Sequence, residues 1–117
     1  MNQPIPQISQ LDLERVVNRD FDTHQHEHVW LLLAEYGLET SHKEPLRVRM
    51  ASLKLAKGNL DALKAEINTA KSDYRDVLAY AEYPGYMSNT FASKLDEAER
   101  QRIVDEDWKQ YQDWFKK

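Results

Sequence analysis

The sequence predicts an all-α protein, a compact bundle of four or five helices. Leucine and alanine, with 13 and 10 residues, outnumber valine and isoleucine, with 6 and 4, and the first pair favours helix where the second favours strand. Apolar residues recur at helical spacing in several segments, whereas strict alternation is not sustained anywhere. Only 3 glycines and 4 prolines interrupt these segments. Helices therefore account for most of the expected structure.

The length of 117 residues predicts one domain, residues 9–117, preceded by a flexible or draped arm over residues 1–8 that contains Pro4 and Pro6. The 41% hydrophobic and 31% charged residues exclude a disordered polymer. The absence of cysteine excludes disulfides and thiolate metal sites. Since no apolar run approaches the length of a membrane span, we expect a cytoplasmic protein that does not contact membrane.

Two helices are expected in the first third of the chain. Ser9 and Asp12 mark the start of the first, which ends near residues 19–21. Asp22 and Gln25 have the spacing of a capping box for the second, which continues toward Gly37.

A helical hairpin at about 42–57 and 59–82 is the expected centre of the bundle. Ser41 and Glu44 have capping-box spacing before the first of these helices. Asn59 can cap the second, which holds a helical apolar period for about 24 residues. The short turn around Gly58 predicts that the two helices lie side by side or meet at a steep corner.

The segment that starts at Tyr83-Pro84 ends the long helix, because proline disfavours helix at the preceding residue. We expect an ordered loop there. A C-terminal helix at about 96–115 follows, capped by Asp96 with Glu99 three residues later, and its apolar face is predicted from the spacing of Ile103 or Val104, Trp108, Tyr111 and Phe115.

A histidine cluster offers one candidate site. His24 and His28 are four residues apart, the helical spacing at which two imidazoles can bind one divalent transition metal such as zinc, nickel or cobalt, and Glu27 could add an oxygen ligand. Two alternatives are histidines that simply face water in a polar first turn and a pH-sensitive switch.

A basic stripe offers a second candidate. Residues 42–75 carry eight basic and four acidic residues, whereas residues 1–41 carry two basic and seven acidic ones. Lys43, Arg47 and Lys54 share one helical face, together with Lys57, and could meet an anionic partner. The alternative is a solvated face that pairs with the acidic N-terminal region. A helix-turn-helix is disfavoured because the net charge is -4, which makes nucleic acid an unexpected partner.

Aromatic residues offer a third candidate site. Tyr80, Tyr83 and Tyr86 cluster near a helix end, followed by Phe91, and are either pinned to the core or exposed to a partner. Trp114 lies about 100° from Phe115 around the C-terminal helix and could contact a second copy of the chain, which predicts a homodimer.

Strong sequence motifs for acyl, phosphoryl, hydride and zinc-hydrolase chemistry are missing from the chain. The sequence therefore favours a non-catalytic protein-interaction or adaptor module that self-associates. The alternative is a helical metal-binding protein that uses the histidine cluster.

Overall fold

The computed structural model describes residues 4–89 and 95–117, and within them all regular structure is helical. The all-α prediction is therefore confirmed. The elements, in chain order, are α1 (Gln10–Asp20), a 3-10 turn (Thr23–Gln25), α2 (His26–Ala34), α3 (Pro45–Ala56), α4 (Leu60–Glu82), α5 (Pro84–Ser88) and α6 (Glu97–Lys116).

The hairpin of α3 and α4 forms the largest interface between two elements of the described chain. Its turn is tight because Lys57 and Gly58 both adopt left-handed backbone conformations, with φ of 52° and 76°. Asn59 then caps α4, its side-chain oxygen accepting a hydrogen bond from the Ala62 N–H at 2.8 Å. Both the hairpin and the cap are as the sequence predicts.

Helix α1 begins with the capping box that the sequence indicates. The Ser9 hydroxyl accepts from the Asp12 N–H at 3.1 Å, and the Asp12 carboxylate accepts from the Ser9 N–H at 3.0 Å. The apolar face of α1 is fully buried in the core between α3 and α6. Upstream, Pro6 is also buried, so this part of the arm lies against the bundle.

The predicted cap of the second helix is wrong. Residues 23–25 form the 3-10 turn, α2 begins only at His26, and neither Asp22 nor Gln25 makes a side-chain capping bond. The reason is tertiary: Phe21 is 4% exposed and extended, so the chain reaches into the core just before the turn. The helix also ends at Ala34, before Gly37.

The capping box predicted at Ser41 is wrong as well. Helix α3 starts at Pro45, and Glu44 occupies its N-cap with a left-handed φ of 51°. Because proline disfavours helical geometry at the residue before it, the helix cannot extend back through Glu44. Tyr36 instead fixes the residues just before the helix. Its hydroxyl donates to the Lys43 carbonyl at 2.6 Å, and its ring stacks on His42.

Helix α4 is long, as expected, but it is kinked. Asp73 lies inside it with non-helical angles, φ -153° and ψ 97°. Its carboxylate accepts from the Arg75 N–H at 3.1 Å, and so replaces a helical hydrogen bond with a local side-chain one. The kink bends α4 about half-way along.

The segment expected to be a loop after α4 contains the short helix α5. Asp107 of α6 holds its first turn: the two carboxylate oxygens accept from the N–H groups of Gly85 and Tyr86, each at 2.9 Å. Asp107 is consequently 5% exposed, whereas Trp108, expected on the buried face, is only half-buried. Phe91 lies outside the described residues.

In the segments that the structure describes, no helix is both long enough and apolar enough to cross a membrane.

Candidate functional site

The basic stripe predicted on α3 faces the protein interior at two of its positions. Arg47 makes a two-pronged ion pair with Glu82 at the end of α4, with nitrogen to oxygen distances of 2.8 and 2.7 Å. Glu82 is only 2% exposed. The charge of Arg47 is thus already matched within the chain, and the Glu82 carboxylate holds the pKa of Arg47 above its usual range.

Lys54 is the second of these positions. Its ammonium donates to the Ala81 carbonyl at 2.6 Å and lies 5.3 Å from the centre of the Tyr111 ring. Burial lowers the pKa of Lys54 to about 8, although the nearby Asp107 carboxylate acts in the opposite direction. Lys43 and Lys57 remain exposed at the two ends of the stripe.

The shifted pKa of Lys54 predicts a pH-dependent stability. Because the pKa in the folded chain, about 8, lies below the ordinary value of 10.5, the unfolded chain binds more protons between these two values. The contribution of Lys54 to stability therefore rises with pH across that window. Urea unfolding at about pH 7.5 and about pH 9.5 measures this effect. The free energy of unfolding of the wild type should rise relative to that of Lys54→Met as the pH rises. Lys64→Met, which removes an exposed lysine on α4, should show no such trend. A stability difference between wild type and Lys54→Met that is the same at both pH values would contradict the prediction.

The predicted aromatic contacts are largely internal. Tyr83 is 9% exposed, and its hydroxyl donates to the Pro4 carbonyl at 2.7 Å. Tyr86 is half-buried and held through its N–H by Asp107. Trp114 is half-buried, stacks on Tyr111 with ring centres 5.8 Å apart, and is covered by the Arg19 guanidinium at 5.0 Å.

The side chains of the histidine cluster do not come together as a metal site. His24 lies in the 3-10 turn and His28 in α2, so the continuous helix assumed for their spacing is not formed; both are exposed, as is Glu27. The ring of His26 is hydrogen-bonded to the Phe21 carbonyl at 2.7 Å. Among the residues the structure describes, no group of three or more histidine, aspartate or glutamate side chains is placed to hold a metal ion.

An open cavity of about 440 Å³ is lined by residues of α3 and α4. We call this cavity the α4 notch. Five of its lining residues come from α4, on both sides of the kink, and one comes from α3. They are Leu55, Glu66, Thr69, Asp76, Val77 and Tyr80.

The α4 notch combines an apolar floor with an aromatic rim. Val77 is buried and Leu55 is packed against the core, so both are held in place by the hairpin. Tyr80 is 55% exposed, so its ring contributes a large aromatic surface to the edge of the notch. The result is a rigid, partly apolar concavity with one large side chain at its edge.

Two carboxylates give the notch a negative charge. Glu66 is half-buried and Asp76 is exposed, and neither makes an ion pair or hydrogen bond within the described segments. Burial raises the pKa of Glu66, because its ionised form loses hydration without gaining a partner.

Sequence reasoning grouped Tyr80 with Tyr83 and Tyr86 but missed the notch. Leu55 and Tyr80 lie on different helices, and Glu66 and Tyr80 lie on opposite sides of a kink that apolar periodicity does not reveal. One local signal was present: Thr69 and Asp73 lie mid-helix, and such side chains compete for backbone hydrogen bonds. The Thr69 hydroxyl does donate to the Ala65 carbonyl at 3.0 Å.

The fold and the notch together define an all-α helical domain with an acidic, aromatic-edged surface concavity. A comparison with protein families, curated proteins and solved structures finds no match to this chain.

Proposed function

We propose that the protein is a non-catalytic protein-interaction module that binds a segment of a partner protein in the α4 notch. The observation that carries this proposal is the 55% exposure of Tyr80 at the edge of a cavity whose floor is held rigid by the α3–α4 hairpin. Tyrosine is enriched among the residues that dominate binding energy at protein interfaces. An aromatic side chain on a helix also loses little conformational freedom when it is covered.

The size of the notch supports a short segment as the bound element. A cavity of about 440 Å³ accommodates a few side chains of a partner. Since Leu55 and Val77 belong to two packed helices, the notch is formed before the partner arrives, and binding requires little rearrangement.

The residues that the sequence predicts as partner contacts remain a second, less favoured binding surface. They are Lys43, Arg47, Lys54, Tyr83, Tyr86 and Trp114. Arg47 and Lys54 already have internal partners, which reduces what they offer to another molecule. Self-association through Trp114 is a second candidate, favoured by an open cavity of about 440 Å³ between the ends of α1 and α6 that this residue lines. Most of the Trp114 surface is nevertheless already covered within the chain.

Tyr80→Ala tests the proposal. Wild-type protein is used to select binders from a displayed library of random 12-residue peptides, and the selected peptides are then measured against the variant. We expect Tyr80→Ala to weaken them by about tenfold or more, because removal of an interface aromatic costs about 2 kcal/mol. Thermal unfolding should change little, since the side chain is exposed.

Leu11→Ala is the matched control. Leu11 is 72% exposed on α1, so the change removes exposed apolar surface away from the notch. Peptide affinity should match wild type. Selection of no peptides, or only of peptides that bind Tyr80→Ala and wild type equally, would overturn the proposal.

A further inference from the structure

We infer that the α4 notch binds an arginine side chain from a basic segment of the partner protein. This inference rests on the proposed function and specifies the chemistry of the partner. It is drawn from the two carboxylates of the notch, the apolar floor between them and the exposed ring at its edge.

The charge of the notch is only partly balanced by its own helix. Lys71 of α4 donates to Glu35 at 2.9 Å, and Arg75 pairs with Asp73 at 3.0 Å. Lys71 is thus directed away from the notch, and Arg75 forms its ion pair with Asp73 rather than with Asp76. In the part of the chain that the structure describes, Asp76 forms no ion pair but lies near the charge of Arg75, whereas Glu66 has no cation beside it.

An unpaired and partly buried carboxylate favours a cationic ligand. Glu66 loses hydration at the edge of an apolar cavity and receives no hydrogen bond in return. A cation that enters the notch would restore that lost stabilisation. An anionic segment would be repelled, and a purely apolar one would leave Glu66 further desolvated.

The shape of the notch favours arginine over a compact cation. The methylene stem of arginine can lie along Leu55 and Val77 while its charged end stays near the carboxylates. Its planar guanidinium can also stack on the exposed Tyr80 ring. The notch thus offers a surface for each part of this side chain.

The experiment uses the peptides selected on wild-type protein. Each is resynthesised with arginine, lysine or citrulline at its basic positions; citrulline has nearly the shape of arginine but no charge. Affinities are measured by fluorescence anisotropy for wild type and for the double variant Glu66→Gln/Asp76→Asn. Glu14→Gln, which removes an exposed carboxylate on α1, is the control.

For wild type, we expect the arginine form to bind about fivefold more tightly than the citrulline form, as for a partly exposed ion pair worth about 1 kcal/mol. The lysine form should lie between them. The double variant should lose the preference while Glu14→Gln retains it. Raising the salt concentration from about 0.05 M to about 0.5 M should shrink the preference, because salt screens exposed charges.

Three outcomes would overturn the inference. Peptides that need Tyr80 but contain no basic residue would refute the arginine assignment and leave the interaction function standing. An arginine preference that persists in the double variant would place the cation elsewhere. If wild type sediments as a dimer and the double variant as a monomer, the notch holds a second copy of this chain, which contradicts a separate partner.

Discussion

Arg47→Met should lower the free energy of unfolding by about 3–5 kcal/mol, because it leaves the charge of Glu82 buried without its partner. Glu82 is 2% exposed and its two carboxylate oxygens are both bonded to Arg47. Methionine keeps most of the length and apolar stem of arginine, so lost packing contributes little. Urea unfolding followed by circular dichroism measures the change.

Two further variants separate the buried charge from a general effect of mutation at this position. The double variant Arg47→Met/Glu82→Leu removes both charges and should recover much of the lost stability, since an apolar pair of similar size can replace a buried ion pair. Arg75→Met breaks an ion pair on the surface, where the arginine side chain is 77% exposed, and should leave stability unchanged within error. Equal losses for Arg47→Met and the double variant would contradict this account.

Gly58→Ala should destabilise the hairpin by about 2–4 kcal/mol, from left-handed backbone strain and a steric clash together. Gly58 has a φ of +76°, and an added β-carbon would lie 2.7 Å from the Asp20 carbonyl oxygen. That oxygen belongs to the backbone at the end of α1, so it cannot rotate away. Thermal and urea unfolding would both report the loss.

Lys57→Gly is the informative comparison for this turn. Lys57 also has a left-handed backbone, with φ of 52°, but it is exposed. Glycine adopts this conformation more readily, so the variant should be at least as stable as wild type. If Gly58→Ala were tolerated as well as Lys57→Gly, the close approach of α1 to the turn would not be a constraint on the fold.

The buried ion pair explains why the basic stripe is a poor guide to a binding surface. On one helix in isolation, Arg47 and Lys54 share a polar face and point to an anionic partner. In the folded chain, the C-terminal end of α4 meets them there, supplying the Glu82 carboxylate and the Ala81 carbonyl. At the α4 notch, in contrast, Tyr80 is 55% exposed and Glu66 has no internal partner among the described residues, so this surface remains open to another protein.

The sequence by itself determined the all-α class, the hairpin and three helix starts, at Ser9, Asn59 and Asp96. Each start depends on hydrogen bonds between groups three residues apart, so local sequence suffices to specify it. Apolar periodicity likewise decides which side of a helix is buried, except where a polar residue such as Asp107 finds buried partners.

Only the tertiary structure decided the rest. The expected caps at Asp22 and Ser41 did not form, because burial of Phe21 and the backbone restriction imposed by Pro45 set the helix starts instead. The pairing of Arg47 with Glu82 joins residues 35 positions apart, and the α4 notch joins two helices across a kink. Such contacts depend on how the helices pack, and no local pattern of residue types specifies which side chains that packing brings together.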